Sequence, residues 1–328
     1  MTENRINWLL FIALGFFWGS SYLFIKIGDD AGLTPFTLVT LRLLVGSILL
    51  GIVVGVAREK LPRDPGMYVR IAILAFFAIA LPFVLITVAE QRVPSSLGAT
   101  LTAPVPLFAI LFAVPMLGER LTVAKVAGII VGLVGVAILM GFDFAQIGRT
   151  DLTPQLLLVG ATISYGFGGV FARKYVTGMR PMVPAFIEVA LAMLMVAVCA
   201  FIFESPLTLL PTLPADAFFA VLWLGIFGSG LAYLCFFRLI THWGATRTTL
   251  VAYLLPIWGI VLGLVVLNEP LGQGLVLGTA LIILGIAFVN VDRGQLYSSM
   301  SSLGSRLGRR SADVPVAEQV PDTVVGPR

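Results

Sequence analysis

Apolar positions along this chain fall in long unbroken runs, separated by short polar turns, and not in the strict alternation of a half-buried strand. The runs lie at roughly 8–27, 35–57, 69–89, 95–116, 122–141, 152–172, 182–203, 216–237, 245–267 and 272–291. At about 1.5 Å rise per residue, some 20 residues cover the ~30 Å hydrocarbon layer of a bilayer. Backbone in lipid must close its hydrogen bonds within its own segment, so each run predicts a helix. A barrel would show shorter segments with alternating polarity. The turns are short, which sets sequence neighbours antiparallel. The pattern therefore predicts an all-α polytopic membrane protein with ten transmembrane helices.

One stretch is written twice. Residues 103–140 and 253–290 align without a gap, matching Pro106 to Pro256, Glu119 to Glu269, Leu121 to Leu271, Gly128 to Gly278 and Gly135 to Gly285. A repeat of this length predicts a duplicated fold. The most polar interruption between runs, Phe142 to Thr153, divides it. The first repeat is then 1–142 with helices 1–5, and the second is 152–291 with helices 6–10. An odd number of helices per half makes the second half enter the membrane from the opposite side, so the two five-helix repeats are expected to be inverted. The remainder, 292–328, is rich in Ser, Arg, Pro and acids and predicts a disordered cytoplasmic tail, in which Arg306, Arg309 and Arg310 are placed to touch anionic lipid.

Composition agrees: 59% of residues are hydrophobic and 12% charged. The net charge of +4 is no nucleic-acid signature, because its placement is what carries information. With the N-terminus cytoplasmic, Arg5, Arg58, Lys60, Arg63, Arg70, Arg120, Lys125, Arg173, Lys174, Arg180, Arg238, Arg247 and Arg293 lie on cytoplasmic segments, against Lys26, Arg92 and Arg149 opposite. That asymmetry places both termini in the cytoplasm of a plasma (inner) membrane protein. The first run is too long for a signal-peptide core and is followed by Asp29 and Asp30, so it is expected to stay as helix 1. Cys199 and Cys235 lie inside runs and read as packing residues, and the single His242 reads as interfacial. No phosphate-binding GxxxxGK[ST] loop, HExxH pair or carboxylate cluster occurs, so the expectation is neither an ATPase nor another enzyme, and no metal or cofactor.

Candidate chemistry is sparse, which makes it easy to name. Helix 1 carries Trp18, Ser21 and Tyr22 on the stretch FFWGSSYLF. These read equally as a packing face, with small-xxx-small spacing from Gly15 to Gly19, and as a substrate-facing stripe. Arg42 lies seven residues into helix 2, costly unless it faces protein, water or a partner, or snorkels outward along its stem. Helices 3 and 4 hold Pro82, Pro94, Pro104, Pro106 and Pro115, and Thr100 and Thr102 are positioned either to satisfy freed carbonyls or to bind substrate. In the second half Tyr165 matches Trp18, and Glu188 falls opposite Arg42, as the only carboxylate expected well inside a span. It reads as a functional group or as a neutral carboxyl in a packed interface. Tyr233, Tyr253 and Trp258 complete the candidate pathway. Glu119 and Glu269 sit in turns, where capping the next helix is the expected task.

The stretches FFWGSSYLFIK, TLRLL, LGERLT and LNEPL, with the glycine-rich fifth and tenth helices, resemble the EamA-type members of the drug/metabolite transporter superfamily. The resemblance covers about 8–291. It implies ten helices in two inverted repeats around a central pathway, both ends cytoplasmic, and movement of small metabolites: amino acids, nucleotide sugars, sugar phosphates or cationic drugs. By the family pattern Trp18, Gly19, Arg42, Pro106, Glu119 and Glu269 are the characteristic positions. The family's small multidrug members depend on a glutamate in helix 1, which is absent here, so that mechanism does not carry over. The expectation is a secondary transporter working by alternating access, with helices 1–4 and 6–9 around the pathway and helices 5 and 10 as scaffold. A phosphorylated cargo wants several basic groups, whereas only Arg42 lies deep in a run, so an amino acid or related compound, exported across the plasma membrane, fits better. A multidrug or other metabolite carrier of the same fold, a non-transporting membrane protein and a lipid-acting membrane enzyme are the alternatives. Coupling to protons and oligomeric state stay open.

Overall fold

A computed structural model of the chain describes residues 3–141, 151–244 and 248–290. The predicted tail 292–328, Arg149, Arg247 and Arg293 lie outside the described residues. Among those described, each apolar run forms a helix. They are α1 (Glu3–Asp30), α2 (Pro35–Val56), α3 (Pro65–Glu90), α4 (Ser95–Leu117), α5 (Val123–Leu139), α6 (Thr153–Tyr175), α7 (Met182–Phe203) and α8 (Ala215–Trp243). Next come α9, a tight 3-10 turn at Thr249–Tyr253 leading into Leu254–Val266, and α10 (Gln273–Asn290). Seven of these have the length and apolarity to cross a membrane, and α5, α9 and α10 are shorter apolar helices. A helix of 17 residues spans only about 25 Å, less than the even ~30 Å expected of every run. α5 stops where Gly141 turns left-handed (φ 64°).

The turns gather at two ends, as an up-and-down arrangement requires. At one end Gln91 bonds Asp29 (2.9 Å) and Arg92 pairs with Asp151 (3.3 Å). There Glu204, closing α7, accepts from the Phe36 and Thr37 amides and the Thr34 and Thr37 hydroxyls at 2.5–3.0 Å. The two amides are orphan donors of the first turn of α2, whose own Thr34 makes no side-chain cap. At the other end Arg180, before α7, pairs with Glu59, just after α2 (2.7 Å). α2 and α7 therefore lie antiparallel and are fastened at both ends. Phe186 fits over Gly51 along their seam.

Two kinds of irregularity recur. α3 widens into a π-helical turn at Phe76–Ala80, ahead of Pro82, which has no amide hydrogen to donate. α8 does the same over Leu224–Leu231, a stretch loosened by Gly225, Gly228 and Gly230. α4 breaks between Leu101 and Val105, around Pro104, and α9 begins tight ahead of Pro256. Polar side chains take up the carbonyls so freed: Thr162 donates to Leu101 O (3.0 Å) and Ser164 to Phe77 O (2.6 Å), both from α6. That is how broken backbone survives at membrane depth.

α5 and α10 meet through bare backbone. A Cβ placed on Gly128 would lie 2.6 Å from Gly285 O, and one on Gly135 would lie 2.8 Å from Gly278 O. The reverse contacts, Gly285 on Gly128 O and Gly278 on Gly135 O, are equally close. Elsewhere Gly15 and Gly19 of α1 are filled by Leu254 and Trp258 of α9. The largest buried cluster joins α1, α3 and α4 to residues of α5, α6, α8 and α10.

Candidate functional site

Arg42 organises the interior. It is 3% exposed, so the guanidinium turns inward and does not snorkel. Its Nε donates to Ser229 Oγ (3.4 Å) and its planar head lies 4.2 Å from the centre of the Phe83 ring, a cation–π contact. Gly228 leaves the necessary room, since a methyl there would meet Ser21 Oγ at 2.8 Å and Arg42 Nη2 at 3.3 Å. Both Gly228 and Ser229 belong to the π-turn of α8, which thereby shapes the arginine's seat. Tyr165, Tyr233, Tyr22 and Glu90 lie around Arg42 at electrostatic range, while no carboxylate reaches salt-bridge distance of it among the described residues.

The other sequence candidates divide around this centre. Tyr22 is buried and its hydroxyl bonds Thr102 Oγ1 at the break in α4. Thr102 also reaches Gly98 O (2.9 Å). Ser21 bonds Phe17 O of its own helix (3.0 Å), with its oxygen still facing the Gly228 gap. Tyr165 packs edge-on to Phe83, and Trp18 to Tyr233, at 6.5 and 6.4 Å between ring centres. Buried Ser21, Tyr22, Arg42 and Thr102 and the half-buried Tyr165 and Tyr233 thus form one polar-aromatic cluster, with Trp18 on its border. Thr100 is spent on its own helix, donating to Ser96 O (2.8 Å). Trp258 fills the α1–α9 seam over Gly19 and against Phe16 (5.0 Å). Tyr253 is half-buried beside the main apolar cluster. Glu188, 8% exposed, touches the cluster electrostatically through Tyr233.

Beside Glu188, inside α7, the structure buries a second carboxylate that sequence reasoning missed. Glu90 closes α3 at 0% exposure. It ends an apolar run and is followed by Gln91 and Arg92, so hydropathy alone makes it look interfacial. Its burial comes from the start of α4 folding back over it: a Cβ on Gly98 would sit 2.6 Å from Glu90 Oε1.

The turn glutamates act differently from each other. Glu269 accepts from the amides of Ser95 (2.7 Å) and Ser96 (3.0 Å), so it caps α4 and not the helix that follows it. It joins the two halves at the end where α4 begins. Glu119 pairs with Lys125 (3.1 Å) and with Arg173 of α6 (2.8 Å). Partial burial pushes its carboxyl up, but the hydrogen bonds and charges of Lys125 and Arg173 outweigh this and hold it below the usual carboxylate range.

Seven helices long and apolar enough to cross a membrane, among the described residues, mark a polytopic membrane protein. The EamA-like transporter family matches this chain twice, over residues 6–141 and 152–291, and the chain belongs to that family. It is 29% identical over 282 residues to the "uncharacterized inner membrane transporter YedA" of Escherichia coli (strain K12), covering 86% of this chain and 89% of that one. It is 26% identical over 301 residues to a "probable terminal-alkyne amino-acid exporter" of Streptantibioticus cattleyicolor, covering 88% and 95%. A solved crystal structure, 22% identical, superposes with a TM-score of 0.62 over 86% of this chain and 97% of its own, which shows a shared fold.

Proposed function

We propose that this chain is a secondary carrier that exports a small zwitterionic metabolite of the amino-acid class across the plasma membrane by alternating access. The observation that carries the reading is the seat of Arg42: one buried guanidinium, unpaired by any carboxylate among the described residues, near Tyr22, Tyr165 and Tyr233. A lone buried cation is costly, and it is retained where it meets an anionic group of a ligand. One such cation suits a single carboxylate and not the several charges of a nucleotide sugar or sugar phosphate. The amino-acid exporter among the relatives points the same way.

The motion follows from reading the ten helices as two inverted five-helix repeats. The double family match supports that reading. So do the reciprocal α5–α10 contacts, in which Gly128 meets Gly285 and Gly135 meets Gly278, as a two-fold axis between the repeats requires. The π-turns in α3 and α8, and the break in α4 and the 3-10 start of α9, recur at corresponding places. In this account α5 and α10 stay together as scaffold, the other helices rock about the Arg42 cluster, and both termini lie in the cytoplasm. A multidrug carrier is the second reading, favoured by the aromatic stack of Phe24, Trp223 and Phe227 (4.6 and 4.5 Å).

Uptake by proteoliposomes of labelled amino acids, sugar phosphates and cationic drugs tests the assignment. Zwitterion transport that is lost in Arg42→Ala is the expected result. Transport of phosphates or drugs alone, or an Arg42→Ala protein as active as wild type, rejects it.

A further inference from the structure

Two buried ionisable side chains, one basic and one acidic, lie at the central cluster without touching. Arg42 and Glu90 lie within electrostatic reach of each other, and Tyr22 lies within reach of both, but no ion pair joins them. Neither carboxylate oxygen of Glu90 has a hydrogen-bond donor among the described residues. The cation beside it is used elsewhere: Lys26 Nζ donates to the Glu90 backbone carbonyl (3.1 Å) and faces Asp30 (3.6 Å). Glu269 and Asp29 bring only further negative charge to the surroundings. A carboxylate buried without donors is untenable as a bare ion, so it holds a proton or a cation from outside the chain.

The Gly98 backbone and the Tyr22 ring close around the Glu90 carboxyl: a Cβ on Gly98 would lie 2.6 Å from Glu90 Oε1 and 3.3 Å from Tyr22 Cδ1. The carboxylate therefore shares a wall with the same tyrosine whose hydroxyl engages Thr102 at the α4 break. An acid without a donor and a guanidinium without a carboxylate partner, among the described residues, thus both lie near Tyr22.

We propose that Glu90 receives the ammonium group of the cargo while Arg42 receives its carboxylate. This rests on the zwitterion reading above and adds a residue to it: the acidic subsite is Glu90 at the end of α3, not Glu188 on α7. Both ends of a bridging zwitterion are then satisfied at once, and each protein charge gains the partner it lacks. Loss of either end of the cargo leaves one buried charge uncompensated, which is how such a site rejects monovalent analogues.

The test uses the full chain in proteoliposomes, with a transported amino acid, its N-acetyl derivative and its carboxamide. Wild type should prefer the zwitterion over both analogues by about ten-fold or more, the scale of one charge-assisted hydrogen bond. Glu90→Gln should abolish the preference over the N-acetyl derivative while keeping that over the carboxamide. Gly98→Ala, which displaces Glu90 by contact, should weaken the same preference and no other. In Glu188→Gln the discrimination should persist. If zwitterions are transported and Glu90→Gln keeps full discrimination against N-acetylation, the Glu90 subsite is wrong while the cargo reading stands. If wild type instead moves a monocationic amine, the zwitterion reading falls, and loss of that transport in Glu90→Gln still upholds the subsite. Transport of only neutral or anionic compounds overturns both.

Discussion

The sharpest structural prediction concerns the α5–α10 contact. A methyl on Gly285 would sit 2.6 Å from both Gly128 O and Gly132 N, and all of these are backbone atoms that cannot rotate away. Ordinary contact begins at 3.4 Å, so Gly285→Ala must part the two helices by about 0.8 Å. Overpacking of this kind costs about 1–3 kcal/mol. Gly128→Ala should cost the same, since its methyl meets Gly285 O at 2.6 Å. Once one methyl has separated the helices the other fits in the gap, so the double variant should lose clearly less than the sum. Gly169 is the control: it is helical and exposed, and nothing lies within 4 Å of its would-be Cβ. Gly169→Ala should be neutral or stabilising by about 0.5–1 kcal/mol through helix propensity. Thermal unfolding in detergent, followed by the monodisperse fraction surviving a temperature series, reads all four proteins. Melting temperatures that fall by several degrees for Gly128→Ala and Gly285→Ala, sub-additively, are expected. Singles that melt with wild type, or a strictly additive double, refute the close reciprocal packing.

Other consequences follow from named contacts. Glu204→Gln keeps the shape but weakens four hydrogen bonds at the start of α2, and should cost about 1–3 kcal/mol in the same melting assay. Glu119 has a folded-state carboxyl held low by Lys125 and Arg173, so its contribution is present above the ordinary carboxylate range and disappears as pH falls through the folded value. Acid should therefore lower the melting temperature of wild type more than that of Glu119→Gln, whereas parallel pH curves would show that the pair contributes nothing. Arg42→Lys keeps the charge but loses the planar contact with Phe83, and transport should fall about ten-fold or more with little change in melting.

The helices were legible because hydropathy alone decides them: a run such as 182–203 leaves the backbone no alternative in lipid, and α7 occupies Met182–Phe203. The repeat was legible because Pro106 and Pro256, Glu119 and Glu269 stand in the same order. Arg42 was legible as an expensive residue, though not which way it faced. The π-turns were not, since Phe76–Ala80 is ordinary helix-forming sequence whose widening depends on Pro82 and on the Ser164 hydroxyl arriving from α6. Glu269 was expected to serve its own turn. Its true partners, Ser95 and Ser96, are far away in sequence, and such long-range capping leaves no local signature. Glu90 was hidden for a similar reason, because its burial comes from Gly98 folding over it and not from its own neighbours in the chain.

The central claim is that Arg42 anchors the carboxylate of a transported zwitterion. Counterflow measures it most directly: proteoliposomes loaded with one unlabelled amino acid take up the same labelled amino acid from outside without any imposed gradient of other solutes. The account predicts accumulation by wild type that the unlabelled carboxamide fails to compete and that vanishes in Arg42→Ala of unchanged melting temperature. Undiminished counterflow in Arg42→Ala, or equal competition by the carboxamide, would contradict it.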